Sequence, residues 1–97
     1  MAHDMNDARL RDATRTLKAL ANDRRLWIVR ELAREKELTV GDIAKRIKLS
    51  YKSTSKHLQK LSEAELLHRE QRSLEVYCSL DRRNALLQAL LPHLPSM

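Results

Sequence analysis

Leu10, Ala13, Leu17 and Leu20 recur at steps of three and four residues, and so predict a first amphipathic helix over residues 6–20. Asn22-Asp23 interrupts that pattern, and short polar side chains of this kind cap a new helix by accepting from its free N–H groups. The second helix runs to Arg34, with Leu26, Ile28, Val29 and Leu32 as its buried stripe. Leu38-Thr39-Val40 reads as a short extended piece, too brief to stand alone as a sheet. Thr39 or Gly41 starts a third helix, whose apolar residues are Ile43, Ala44 and Ile47. After a break of two or three residues, Ser50 is the N-cap of a fourth helix over residues 51–64, rooted on Thr54, Leu58 and Leu61.

From Leu66 the period changes. Leu66, His68, Leu74, Val76, Cys78 and Leu80 suggest alternation, with Glu70-Gln71-Arg72-Ser73 as the bend of a β-hairpin. A last helix over residues 82–91 carries Leu86, Leu87, Leu90 and Leu91 on one side and is stopped by Pro92. Two short helices across a tight turn, followed by a hairpin, make a mainly α winged helix-turn-helix with an additional helix at each end. No internal repeat or linker divides the chain, so residues 1–97 are expected to form a single domain.

Composition agrees with a helix-rich fold. One Gly and two Pro leave little turn material, and without Phe the core must come from Leu, Ile, Val and Ala. A chain of 97 residues buries only about 60–70% of its unfolded surface, so self-association would help it. The lone Cys78 permits no internal disulfide and no thiol-rich metal site. The acidic start, Met1 to Asp7, does not suit a signal peptide, and no apolar run reaches the roughly 18 residues of a membrane span. A cytoplasmic location is expected, with no membrane partner.

Charge distribution says more than the net value of +6. Residues 45–60 hold Lys45, Arg46, Lys48, Lys52, Lys56 and Lys60 and no acid, while the other 81 residues balance 13 basic against 13 acidic side chains. A solvated helix face usually interleaves Glu, because like charges four residues apart repel. An acid-free strip on the fourth helix is instead the footprint of a polyanion-binding surface.

Several stretches resemble the ArsR/SmtB family of winged-helix repressors. They are Leu17-Lys18-Ala19-Leu20-Ala21-Asn22-Asp23-Arg24-Arg25-Leu26, Leu38-Thr39-Val40-Gly41-Asp42-Ile43-Ala44 and Leu49-Ser50-Tyr51-Lys52-Ser53-Thr54-Ser55-Lys56-His57-Leu58. Ala64-Glu65-Leu66-Leu67 and Val76-Tyr77-Cys78-Ser79-Leu80 complete the similarity, which spans residues 17–80 in order. The resemblance implies a dimer whose terminal helices pair, through Leu10, Ala13, Leu17, Leu86, Leu87, Leu90 and Leu91. It also marks departures. Ser73 stands where the wing usually has glycine, which implies a differently shaped wing tip. Lys48 and Glu65 stand at the family's glycines in the helix-turn-helix turn and before the hairpin, where a non-glycine residue forced to positive φ is strained by roughly 1 kcal/mol. Such turns are either tighter variants or sites where stability is given up.

The N-terminal residues of a recognition helix lie nearest the base edges, so Tyr51, Lys52, Ser55 and Lys56 are the candidate readers. Lysine donates to guanine O6 and N7, Gln59 suits adenine, and the Tyr51 ring suits a thymine methyl; for each, a phosphate contact or plain solvation is the alternative. Ser50 and Ser53 belong to the same surface at the start of the helix. Lys45, Arg46, Lys48 and Lys60 are expected at phosphates. Arg69 and Arg72 flank the wing tip and either reach a minor groove or its phosphates, or stay in solvent with Glu70 as partner. Four phosphate contacts doubled by a dimer give a salt slope near about −7.

No metal or cofactor is expected. The family's thiolate positions fall on Thr39 and Gly41, and its last-helix ligand pattern is broken: Arg82 and Arg83 follow Asp81, and Ser96 lies three residues after His93. His3, His57, His68 and His93 lack the spacing that builds a metal face, and His57 is expected to pack at the root of the fourth helix. Cys78 is expected half-buried as a small hydrophobe. Trp27 reads as an anchor at the core edge or at a dimer interface. No phosphate loop, nucleophile elbow or paired-acid site supports catalysis. The reading is a homodimeric, sequence-specific double-stranded DNA-binding regulator, a repressor, acting on an inverted repeat. Its effector is unknown. A protein-interaction module and a non-specific nucleic-acid binder are the alternatives.

Overall fold

In the computed structural model, which describes residues 7–95, the chain runs α1 (Ala8–Leu20), α2 (Asp23–Arg34), β1 (Leu38–Thr39), α3 (Val40–Ile47) and α4 (Tyr51–Glu63). The hairpin β2 (Leu67–Arg72) and β3 (Glu75–Leu80), then α5 (Ala85–Leu90) and a 3-10 turn at Leu91–His93, complete it. Each helix start is closed by a side-chain oxygen. Asp7 accepts from Arg9 N–H, Asn22 from Arg25, Thr39 from Asp42, Ser50 from Ser53 and Asn84 from Leu87. Such a cap satisfies one orphan donor and stabilises a helix by about 1 kcal/mol.

The helices enclose one core. Ile28, Val29 and Leu32 of α2 meet Ile43 and Ile47 of α3, Leu58 and Leu61 of α4, and Leu66, Cys78 and Leu87 from the rest of the chain. β3 is the central strand of a three-stranded antiparallel sheet ordered β1-β3-β2. Leu38 pairs with Cys78, so the short extended piece gains its hydrogen bonds by joining the hairpin. Val40, expected at its end, is already helical and buried.

The hairpin turns later than expected. Glu70, Gln71 and Arg72 are strand residues, with Arg72 opposite Glu75, and the loop is Ser73-Leu74. Alternation placed Leu66 and His68 on one face, yet Leu66 precedes the strand and Leu67 carries the burial, leaving His68 exposed. Leu74 at the tip is 93% exposed, whereas Cys78 is fully buried rather than half-buried.

The last helix begins at Ala85, not at residue 82, because Asp81 accepts from the Arg83 N–H and holds 81–83 as a turn. Leu87 faces the protomer core with no exposure, so the expected role at a dimer interface does not fit it. Leu90 and Leu91 are half-buried against the core. In α1 the buried residues are Thr16, Ala19 and Leu20, while Leu10 and Leu17 remain 53% and 57% exposed. Of the leucine stripe of α1, Leu20 therefore joins the core, while Leu10 and Leu17 stay largely uncovered among the described residues. Leu26 is half-buried, and Trp27 sits at the core edge between Arg24 and Arg30, 5.7 and 5.8 Å from its ring centroid.

Candidate nucleic-acid interface

The helix-turn-helix is formed by α3 and α4, and its turn is held from three sides. Lys48 takes the left-handed conformation (φ 58°, ψ 46°), and Leu49 N–H reaches back to the Ala44 carbonyl at 3.1 Å. Arg24 of α2 donates to the Ile47 carbonyl, one of the orphan acceptors at the end of α3. Ser50 then caps α4. Glu65 (φ 60°) repeats the device at the end of α4, where Leu66 N–H bonds the Leu61 carbonyl at 3.0 Å. Ser73 (φ 55°) completes the set. All three positions flagged as glycine departures keep the glycine conformation, so the turns are not tighter variants; their strain is retained.

From this frame α4 presents Tyr51, Lys52, Ser53, Lys56 and Gln59 exposed and Ser55 half-buried, with Thr54, Leu58 and Leu61 inward. Among the described residues, Lys45, Lys48, Lys52, Lys56 and Lys60 form no ion pair. Gln59 donates to Glu63 at 3.1 Å, one turn further along the same helix. Lys60, near the end of α4, lines a groove against α1.

Arg46 differs from its lysine neighbours. It meets Glu31 at 3.3 Å and Glu35 at 3.1 Å, and these carboxylates raise its pKa. Glu31, buried on α2, also meets Arg30 at 3.4 Å. In the wing, Arg72 makes a bidentate pair with Glu37 at 2.7 and 2.9 Å, bonds Glu70 at 2.8 Å, and stacks on Tyr77 at 4.5 Å. The guanidinium holds the Glu37 carboxyl below its usual pKa, and its own is raised. Arg69 is exposed and forms no ion pair among the described residues. The structure thus commits Arg46 and Arg72 to carboxylates and leaves the lysines and Arg69 available.

Arg24, Arg25, Glu31 and Glu37 were missed as contributors to the site. Arg25 donates to the Ala19 carbonyl and, at 3.3 Å, faces Nδ1 of His57 on α4. Sequence offered only the Asn22-Asp23-Arg24-Arg25 segment as a signal; the partners lie far along the chain. His57 packs at the α4 root as expected, with its pKa lowered first by burial and then by Arg25 and Arg24. His68 stands 3.4 Å from Asp81, whose pKa falls to about 2 chiefly through hydrogen bonds from Arg83. No cluster of three or more metal-ligating side chains exists among the described residues, and His3 lies outside them. Burial pushes the Cys78 thiol up to about 11. No helix of the described residues is long and apolar enough to cross a membrane.

An α3–α4 pair with a three-stranded wing defines the winged helix-turn-helix class. Residues 22–69 match the family model described as bacterial regulatory protein, arsR family. The transcriptional repressor PagR of Bacillus anthracis is 35% identical over 79 residues, covering 81% of this chain and 79% of PagR. The PagR crystal structure superposes with a TM-score of 0.76 at 33% identity, over 90% of this chain and 97% of that one. HlyU from Vibrio cholerae gives 0.78 at 30% identity, over 90% and 91%. The homodimeric winged helix-turn-helix DNA-binding domain Mb0332 from Mycobacterium bovis gives 0.77 at 30% identity, over 95% and 89%. The chain belongs to the ArsR family of transcriptional regulators, a non-enzymatic family.

Proposed function

We propose that this protein is a cytoplasmic homodimeric repressor that reads an inverted-repeat operator in double-stranded DNA. The observation that carries the reading is the face of α4: a Ser50-capped helix whose Lys52 and Lys56 project from a leucine root and, among the described residues, pair with no carboxylate. Ammonium groups on such a face gain most from a phosphate array, and the first turns of the helix reach base edges in the major groove. Tyr51, Lys52, Ser55 and Lys56 read bases, with Gln59 beyond them. Lys45 and Lys48, flanking the turn, take phosphates, as do the Ser50–Ser53 end of the helix and Arg69 on the wing. Arg46 and Arg72 contribute mainly by stiffening α3 and the hairpin. Lys60 adds long-range charge from the far end of α4.

The dimer supports the reading through Leu10, Ala13, Leu17 and Leu86, with Leu90 and Leu91 at the margin. Among the described residues Leu10, Leu17 and Leu86 are large hydrophobic side chains left exposed, and a similar domain is described as homodimeric. Two-fold symmetry in the protein calls for two-fold symmetry in the site.

Selection of binding sites from random duplex DNA tests this function. An enriched inverted repeat, lost in Lys56→Glu while fold and dimer persist, is the expected result. Uniform retention of all sequences would move the protein to the non-specific class, and no retention at low salt would make the helix-turn-helix a protein-interaction module.

A further inference from the structure

Between α1 and α4 lies an open groove of about 770 Å3, floored by core alanines, with Lys60 of the DNA-binding helix in its lining and Leu10 shared with the proposed dimer face. Its floor is apolar: Leu10 and Ala19 from α1 and Ala64 at the end of α4. Its charged lining is one-sided, with Arg11, Arg15, Lys18, Arg25 and Lys60 against the carboxylate of Glu63. Part of that charge is committed inside the protein. Arg15 pairs with Asp12 and Glu65, Arg25 holds the Ala19 carbonyl, and Glu63 accepts from Gln59. Lys18 and Lys60, one from each wall, form no ion pair among the described residues. The volume lies within the range of small-ligand sites, which combine an apolar lining with a few convergent polar groups.

We propose that this groove binds an amphipathic carboxylate, with the headgroup between Lys18 and Lys60 and the apolar body along Leu10, Ala19 and Ala64. Charge complementarity selects the ligand class: a cation would meet the ammonium groups of Lys18 and Lys60, and a neutral hydrocarbon would leave both unused. The groove also adjoins the recognition helix. Lys60 is on α4, and Arg25, in the same wall, faces His57 of α4. A carboxylate seated there neutralises Lys60 and adds negative charge beside the helix, and so lowers affinity for a polyanion. This last consequence rests on the DNA-binding reading above; the binding itself does not.

Titration of the full chain with decanoate, below its micelle concentration, tests the site by amide chemical shifts without DNA. Saturable shifts centred on Thr14, Ala19 and Ala64 are expected, with decanol about tenfold weaker, the loss of one charge-assisted contact. Thr14→Trp, which fills the groove from an exposed position, and Lys18→Glu, which reverses one wall, should each abolish the decanoate shifts. Thr14→Trp, which brings no charge, should leave ligand-free selection of DNA unchanged, whereas Lys18→Glu, which sets a carboxylate opposite Lys60, should weaken it. Decanoate should then weaken operator binding by the unmodified protein and not by Thr14→Trp. Equal response to decanol, shifts elsewhere, a response only to anionic vesicles, or no shift because a second copy covers the groove would each overturn the proposal. If decanoate binds as expected but no DNA is selected, the ligand site stands and the DNA reading fails.

Discussion

The guanidinium of Arg25 stands 3.3 Å from Nδ1 of His57, joining the start of α2 to the middle of the recognition helix. Burial disfavours the imidazolium first, and its charge would then stand beside those of Arg25 and Arg24 against Asp23, whereas the neutral imidazole accepts from the Arg25 donor. The folded-state pKa is accordingly below the ordinary 6.5, so the unfolded chain takes up the proton first as pH falls. The His57 contribution is complete above about pH 6.5 and is lost as pH drops from there through the folded-state pKa. Urea midpoints should decline over that window, and His57→Gln should flatten the decline there. Parallel pH profiles for the two proteins would refute this account.

Lys48 and Glu65 occupy left-handed backbone that glycine adopts without strain. Lys48→Gly and Glu65→Gly should each stabilise the fold by about 1 kcal/mol, net of the extra freedom glycine has when unfolded. For a domain of this size that raises Tm by roughly 4–8 °C, compared at equal protomer concentration. Only Lys48→Gly should also weaken DNA binding, because it removes a charge from the phosphate-facing strip. A fall in Tm for both would mean that the turns do not need that conformation.

Glu31 is a buried carboxylate on α2 that meets Arg30 and, between α2 and α3, Arg46. Glu31→Ala would leave two guanidinium groups short of a partner, and should cost about 1–3 kcal/mol. Part of Arg46 is retained by Glu35, which limits the loss. Chemical denaturation of Glu31→Ala, Arg46→Ala and the double variant gives the coupling directly. Additive effects would show that the pair does not tie α3 to α2.

Cys78 lies in the central strand with no exposed surface, and its thiol is pushed up to about 11 by burial. The native protein should therefore resist thiol alkylation at neutral pH and react only on unfolding. Cys78→Ser should destabilise more than Cys78→Ala, because the hydroxyl brings a polar group into the core without an assured partner. Rapid labelling under native conditions would contradict the buried placement.

Local rules made much of this protein legible. The caps at Asn22, Thr39 and Ser50 were readable because each bond reaches a backbone N–H three residues on. The Thr54, Leu58, Leu61 root of α4 was readable because helical period alone sets which face turns inward. The hairpin turn was not. Without an Asn-Gly or Asp-Gly signal, its register depended on β3 pairing with both β1 and β2. Leu87 and Leu10 look alike in a periodic pattern, yet one is buried and the other exposed, since only packing distinguishes the two sides of a leucine stripe.

What the chain alone determined was the order of elements, the caps at Asn22, Thr39 and Ser50, the lysine strip and the lack of the family's metal ligands. Tertiary structure decided which cations are already neutralised. Arg46 reaches carboxylates 11 and 15 residues away, and Arg72 reaches one 35 residues away. The physical reason is range. Periodicity and capping act within a turn or two of backbone, whereas an ion pair forms wherever folding brings opposite charges within about 4 Å, whatever their separation in sequence.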